Sequence, residues 1–267
     1  MIYWYAIVVQ TPAHSPLAGL LTYQSEHDIA AGAFVRVPLG SRELLGIVWQ
    51  KLDAPPEPLL GKQGQTIDVK PITADLGIQT VTAAWLKLVE FTANYYQRSL
   101  GEVALAALPP QLRTLDALQV ERRLKRRKNA DAGESERSNV AINNVALNEE
   151  QTSATAKIST QNGPFLLFGA TGSGKTEVYL RAALEALQND PNAQVLMMVP
   201  EINLTPQLED RVRERICPLY GDAAVVSLHS GMTNPQRLKS WLSAHMGTAR
   251  VVLGTRMAIF ASMPHLK

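Results

Sequence analysis

Hydrophobic positions change their period twice along the chain. From residue 1 to about 72 the apolar runs are short and rich in β-branched and aromatic residues: Trp4 to Val9, Ala33 to Val37 and Leu44 to Trp49. Such runs predict strands, and Pro38-Leu39-Gly40-Ser41 between the last two is turn chemistry, so Ala33 to Trp49 reads as a hairpin. Asp53 to Gly64, rich in Pro, Gly and Gln, reads as a loop. Between Gln79 and Leu108 the period becomes helical. Val81, Trp85, Leu88, Thr92 and Tyr95 recur at spacings of three and four, Gly101 separates a second short helix, and Pro109-Pro110 closes the segment.

Residues 109–146 read as a basic and polar linker. Arg122, Arg123, Lys125, Arg126, Arg127 and Lys128 fall within seven positions, followed by a polar tract from Asn129 to Asn144. Two readings stay open: a solvated helix end running into a linker, or a patch that contacts phosphates and would bind them with strong salt dependence.

From Leu147 the pattern alternates. Strands are predicted at Phe165–Phe168, Gln194–Val199, Ala224–Leu228 and Arg250–Leu253. Helices are predicted between them at Lys175–Leu187, Pro206–Ile216 and Pro235–His245. This β-α order implies a parallel sheet covered on both faces. The fold class expected is therefore α+β: a β-rich N-terminal domain followed by an α/β lobe built on a parallel sheet.

Composition narrows the functional classes. The chain has 267 residues, 46% apolar and 19% charged, as befits a protein with a real core. Its net charge of +2 leaves nucleic-acid binding to local patches. One cysteine, Cys217, excludes an internal disulfide and a multi-cysteine zinc site. The start Met1-Ile2-Tyr3-Trp4-Tyr5 is unlike a signal peptide, and no stretch reaches the roughly 20 apolar residues of a membrane span. The expectation is a cytoplasmic protein with no membrane partner.

The chemistry is most specific at Gly169-Ala170-Thr171-Gly172-Ser173-Gly174-Lys175-Thr176, which matches the phosphate-binding loop G-x-x-x-x-G-K-[ST]. Glycines let backbone N–H groups turn inward onto a phosphate, and the helix that follows aims its positive end at the same anion. Lys175 would reach the β- and γ-phosphates, and the Thr176 hydroxyl would ligate Mg²⁺. ATP and Mg²⁺ are the expected cofactors. The loop alone does not separate kinases, transporters, GTPases and helicases.

Further stretches carry a family resemblance. Leu147-Asn148-Glu149-Glu150-Gln151 resembles the glutamine motif of superfamily 2 helicases. Gly172 to Tyr179, Val199-Pro200-Glu201-Ile202-Asn203-Leu204-Thr205-Pro206-Gln207, Leu228-His229-Ser230-Gly231, Arg237 with Trp241, and Gly254-Thr255-Arg256 with Ile259-Phe260 resemble, in this order, the primosomal protein N′ (PriA) family of replication-restart helicases. Residues 35–40, 46–48, 70–72, Tyr95-Tyr96, 101–103 and Leu108-Pro109 are similar to that family's DNA-binding domain.

The resemblance implies domains at 1–108 (3′-end DNA binding) and 147–267 (the first part of a RecA-like, ATP-binding helicase lobe). It implies an ATP-dependent 3′-to-5′ helicase that reloads the replication machinery at stalled forks. Its partners would be forked DNA with a nascent 3′ end, single-stranded DNA, and primosome and single-strand-binding proteins. Gln151 would read adenine. Thr205, Pro206 and Gln207, with Gly254, Thr255 and Arg256, would lie along a single strand. Gly40 and Lys70 match positions of a pocket for a 3′-terminal nucleotide. Leu21-Thr22 replaces the Phe-Asp pair expected there, so Thr22 offers a 3′-hydroxyl a hydrogen bond without charge.

The sequence departs from the family in three ways. No winged-helix domain fits between the halves, cysteine pairs for zinc are lacking, and the chain ends before an acidic Asp-Glu-Glu-His strand. The expectation is a piece that binds DNA and ATP and does not unwind. A P-loop enzyme of another class and a pure DNA-end-binding module are the alternatives.

Overall fold

The computed structural model describes residues 1–11, 19–54, 59–60, 66–132, 146–200 and 206–267. They fall into two compact units. Unit 1 comprises Met1–Ala132, Thr233–Trp241 and Phe260–Ser262; unit 2 comprises Gly133–Met232, Leu242–Ile259 and Met263–Lys267.

Unit 1 is built on an antiparallel sheet of β1 (Tyr3–Val9), β2 (Leu21–Ser25), β3 (Phe34–Leu39), β4 (Arg42–Leu52) and a short β7 (Ala74–Asp75), in the order β2-β1-β4-β3-β7. The two-residue strands β5 (Leu59–Leu60) and β6 (Thr66–Ile67) form a separate two-stranded sheet. The predicted hairpin forms, with a tighter turn than Pro38 suggested. Leu39 pairs with Arg42, leaving Gly40-Ser41 as a two-residue connection with Gly40 at φ 61°. A two-residue hairpin needs left-handed backbone there, and glycine adopts it without strain.

The sheet curls until its edges meet. The Gln24 N–H donates to the Lys70 carbonyl at 3.0 Å and the Ile72 N–H to the Gln24 carbonyl at 2.8 Å. The same strand then crosses to β3, where the Thr73 N–H donates to the Arg36 carbonyl at 2.9 Å. Tyr5, Ile7, Val9, Tyr23, Val35, Val37 and Val48 fill the interior. The Tyr5 hydroxyl accepts the Ile29 N–H at 2.8 Å, and burial raises both the Tyr5 and the Tyr23 phenol above their ordinary value.

A raised folded-state value means that the protonated phenols stabilise the fold fully below the unfolded value of about 10. That contribution is lost as pH rises through the folded value. Urea midpoints followed by tryptophan fluorescence are therefore expected to fall above pH about 10. Tyr5→Phe, which strips the Ile29 N–H of its acceptor, should cost about 1–2 kcal/mol at neutral pH and flatten the alkaline limb. A pH dependence identical to that of the parent would refute the assignment.

Two capped helices follow the sheet, the first packed on the second and the second on β1. Thr82 caps α1 (Ala83–Tyr96), its hydroxyl accepting the Trp85 N–H at 3.2 Å. Ser99 caps α2 (Leu100–Ala106) in the same way. Gly101 lies inside α2 and does not precede it. A Cβ there would come within 2.0 Å of the Val9 carbonyl, so glycine lets the helix rest directly on β1. Much of the stretch expected to be linker is also helical. A 3₁₀ turn at Pro110–Thr114 leads into α3 (Ala117–Ala132), and Leu112, Leu115 and Val120 are buried. The signal missed is a short apolar stripe ahead of the basic run.

Unit 2 holds α4 (Glu149–Thr160), α5 (Lys175–Asn189), β8 (Val195–Met198), α6 (Pro206–Tyr220), β9 (Val225–Leu228) and β10 (Val251–Gly254). The helix α7 (Asn234–His245) runs from unit 1 into unit 2. The sheet is parallel, in the order β8-β10-β9. As the central strand, β10 is buried along its whole length, which explains its unbroken apolar run Val251-Val252-Leu253. Leu180, Leu184 and Leu187 of α5 and Val212 and Ile216 of α6 pack against Val225, Val251 and Leu253.

Two expectations need correction. Phe165–Phe168 is not a strand: it pairs with no described strand, and Leu166 and Phe168 are 91% and 94% exposed. An apolar run becomes a strand only when a neighbour completes its ladder. The β8 strand is half-buried instead of covered on both faces.

Candidate nucleotide site and nucleic-acid interface

Within unit 2, a cleft of about 650 Å³ lies between α4 and the start of α5, lined among others by Gln151, Lys157, Phe168, Gly169, Ser173 and Lys175. The loop from Gly169 to Thr176 reverses the chain through two left-handed glycines, Gly172 at φ 84° and Gly174 at φ 82°. Gly174 is the residue just before α5. Its positive φ is what requires glycine; a Cβ there would also meet Gln151 Nε2 at 2.2 Å and displace the end of that side chain. The Ser173 N–H donates to the Ala170 carbonyl at 3.2 Å, closing the turn, while Thr171 is exposed.

Lys175 Nζ donates to the Gly169 carbonyl at 2.5 Å and to the Ala170 carbonyl at 2.7 Å. The ammonium therefore already bridges the mouth of the loop. Thr176 is half-buried in the first turn of α5. A cationic group, a helix N-terminus and a glycine turn together make a donor set suited to a polyphosphate. ATP with Mg²⁺ fits these residues.

Gln151 has a double engagement. Its side-chain oxygen accepts the Asn148 N–H at 3.0 Å while Asn148 Oδ1 accepts the Gln151 N–H at 2.8 Å, a reciprocal capping box. Its Nε2 donates to the Ser173 carbonyl at 3.1 Å. The glutamine predicted to read adenine thus also ties α4 to the phosphate loop.

One feature of the site was invisible in sequence. Glu177, next to Thr176, takes a bidentate contact from Arg215 of α6, with both N···O distances 3.1 Å and side chains 14% and 11% exposed. Arg181 shares the same carboxylate at 3.1 Å. The i,i+4 pairing with Arg181 was legible, but Arg215 lies 38 residues away and no spacing rule reaches it.

The single-strand candidates follow the carboxyl ends of the parallel strands, the edge where such sheets hold ligands. Gly254 ends β10; a Cβ on it would meet Ala258 Cβ at 2.2 Å and the Leu228 carbonyl at 2.6 Å. Thr255 is buried, and its N–H donates to the Leu228 carbonyl at 3.2 Å. Arg256 is exposed at the start of a 3₁₀ turn. Pro206 and Gln207 are exposed at the start of α6, which follows β8 in the chain; Thr205 lies outside the described residues.

In unit 1, Thr22 pairs with Ala6 across β1 and β2. Lys70, exposed, is held through its carbonyl by the neighbouring Gln24. The Tyr23 hydroxyl donates to the Pro38 carbonyl at 3.1 Å, fixing β2 to the strand that leads to Gly40. Around Gly40 no heavy atom lies within 4 Å of a built Cβ, so its backbone faces open space. These two bonds tie together three segments distant in sequence, each of which carries one of the candidate 3′-end residues.

Among the described residues no helix is long and apolar enough to cross a membrane. Residues 6–109 match the 3′ DNA-binding domain (3′BD) of PriA, and residues 148–266 match the DEAD/DEAH box helicase family. Fold and site thus define a P-loop lobe of the DEAD/DEAH helicase class, carried on one chain with a 3′ DNA-binding domain. Relatives extend across the chain. It is 28% identical to the replication restart protein PriA of Haemophilus influenzae, covering 97% of this chain and 43% of that protein. It is 31% identical to that of Rickettsia conorii, covering 94% and 34%. With that of Synechocystis the identity is 45% over 101 residues, 38% of this chain. The chain belongs to the PriA replication-restart family, and spans between a third and just under half the length of the first two relatives.

Proposed function

We propose that this chain supplies the fork-binding and ATP-binding parts of an ATP-dependent 3′-to-5′ DNA helicase of replication restart. Residues 1–108 hold the nascent 3′ end and residues 147–267 bind ATP·Mg²⁺ and a single strand. Primosome and single-strand-binding proteins are the partners in this reading. The observation that carries it is the pairing, in one chain, of a phosphate loop whose helix starts at Lys175 with a curled sheet presenting Gly40 and Lys70.

In chemical terms, Gly40 admits a sugar close to the backbone and Lys70 neutralises the adjoining phosphate. Thr22 adds an uncharged hydrogen bond. ATP brings the phosphoanhydride whose hydrolysis drives strand movement. Lys175 neutralises its β- and γ-oxygens, Thr176 offers a hydroxyl to Mg²⁺, and Gln151 faces the base. Pro206, Gln207 and Gly254–Arg256 line the strand's path, with Arg256 as the charged phosphate contact.

The test uses the whole chain and two forked DNAs that differ only at the nascent end, one with a 3′-hydroxyl and one with a 3′-phosphate. Anisotropy is expected to favour the hydroxyl by roughly 2- to 10-fold, the effect of one net hydrogen bond. Lys70→Ala should weaken binding to both forks. Equal affinities, unaltered by Lys70→Ala, would remove the 3′-end reading.

A further inference from the structure

The basic run 122–128 has no part in the reading above, yet it is held in place. The α3 helix is continuous from Ala117 to Ala132, so the run occupies nearly two turns of one helix. Its root is anchored to the curled sheet. Arg36 of β3, 6% exposed, donates to the Arg113 carbonyl at 2.8 Å and to the Leu115 carbonyl. Asp116 starts the helix by accepting the Gln119 N–H at 2.7 Å. With Leu112, Leu115 and Val120 buried, Arg122, Arg123 and Lys125 have a fixed register on unit 1.

The charges facing this surface do not cancel. Leu115, Gln119, Arg122, Arg123 and Lys125 line an open cleft of about 570 Å³. Of the two carboxylates between residues 116 and 128, Asp116 is taken up by the helix cap and Glu121 pairs with Lys125 at 2.6 Å. Among the described residues no carboxylate lies within ion-pair distance of Arg122 or Arg123, and both are exposed. Six of the chain's 26 basic residues are thus concentrated in a protein of net charge only +2.

We propose that α3 is a second DNA contact that grips the phosphate backbone of duplex DNA through Arg122 and Arg123, independently of the 3′-end pocket. It rests on the DNA-binding reading and adds a site to it. Guanidinium groups suit phosphate because their planar donors engage two oxygens at once. The contact carries no base readout: it holds the parental or nascent duplex regardless of sequence, and the pocket selects the end. Its signature is counterion release, in which each neutralised phosphate adds about 0.9 to the slope of log K against log salt.

The experiment measures anisotropy of the whole chain on a duplex of about 20 base pairs with both 3′ ends phosphorylated, between about 50 and 200 mM KCl. Arg122→Ala/Arg123→Ala should lower the slope by about 1.8, and Arg122→Lys/Arg123→Lys should retain it. Far-UV circular dichroism checks that α3 persists. A parental slope in the alanine variant would overturn the proposal, as would binding to vesicles rich in phosphatidylserine without binding to the duplex. The 3′-hydroxyl preference on forks is read separately. Its absence would sink the end-binding reading and leave this one standing, whereas its survival in the alanine variant would support two distinct contacts.

Discussion

Glu177→Ala is expected to speed hydrogen exchange throughout α5 and α6 by roughly 100-fold or more, while β1 to β4 exchange as in the parent. The Glu177 carboxylate is gripped by Arg215 with two bonds and by Arg181 with a third, at 11% to 24% side-chain exposure for the arginines. Removing it leaves the poorly hydrated Arg215 guanidinium without the carboxylate that it grips. Truncating one partner of a buried charged pair costs about 3–5 kcal/mol, and each 1.4 kcal/mol is tenfold in an opening equilibrium. The lower end applies, because the arginines retain some water. Glu177→Gln should fall between, since it keeps one acceptor and loses the charge. The site consequence is specific. Glu177 follows Thr176 directly, and α6 begins at Pro206, so this pair fixes the phosphate loop's helix against the helix bearing single-strand candidates. Unchanged protection in both helices would show that the pair contributes nothing beyond a surface contact.

Lys175→Ala is expected to lower affinity for a fluorescent ATP analogue with Mg²⁺ by roughly 10- to 150-fold, and to leave the melting temperature unaltered. A charge-assisted hydrogen bond contributes about 1.5–3 kcal/mol, which is the range just given. The effect on stability is small for a reason visible in the loop. Among the described residues Lys175 Nζ donates to the Gly169 and Ala170 carbonyls alone, and these two exposed residues are open to water once the side chain is gone. On binding, the ammonium exchanges those two carbonyls for phosphate oxygens, and part of the new attraction is offset by the loss. Lys175→Arg should not rescue, because a planar fork cannot replace a compact charge at the mouth of a tight loop. Equal affinity of parent and Lys175→Ala would remove the phosphate role from this lysine.

The two variants probe different layers of the site. Lys175 acts at the surface on a ligand, so its loss is felt in binding; Glu177 acts between helices, so its loss is felt in the fold. A variant that confused the two signals would show that the loop and its supporting helices move together.

Much of this protein was determined by sequence alone, where the physical cause is local. Hairpin β3–β4 follows from two short β-branched and apolar runs around the turn at Gly40, and α5 from the glycine loop ahead of Lys175. The cap at Asn148 follows from Asn-x-x-Gln spacing, and β10 from an unbroken apolar run. Each is decided by neighbours within a few residues. Tertiary structure decided what depends on partners far along the chain. Phe165–Phe168 has the composition of a strand but lacks a neighbouring ladder, so its backbone stays unpaired. Gly101 reads as a helix breaker, yet it serves inside α2 as the point of closest approach to Val9. The 109–132 segment reads as linker, yet Arg36, 77 residues before Arg113 in the interaction, binds its carbonyls and fixes the start of α3. The Glu177–Arg215 pair and the stitching of Lys70 to Gln24 belong to the same class. Backbone ladders and buried ion pairs are satisfied by whichever group the fold brings within about 3 Å, and sequence separation places no limit on that choice.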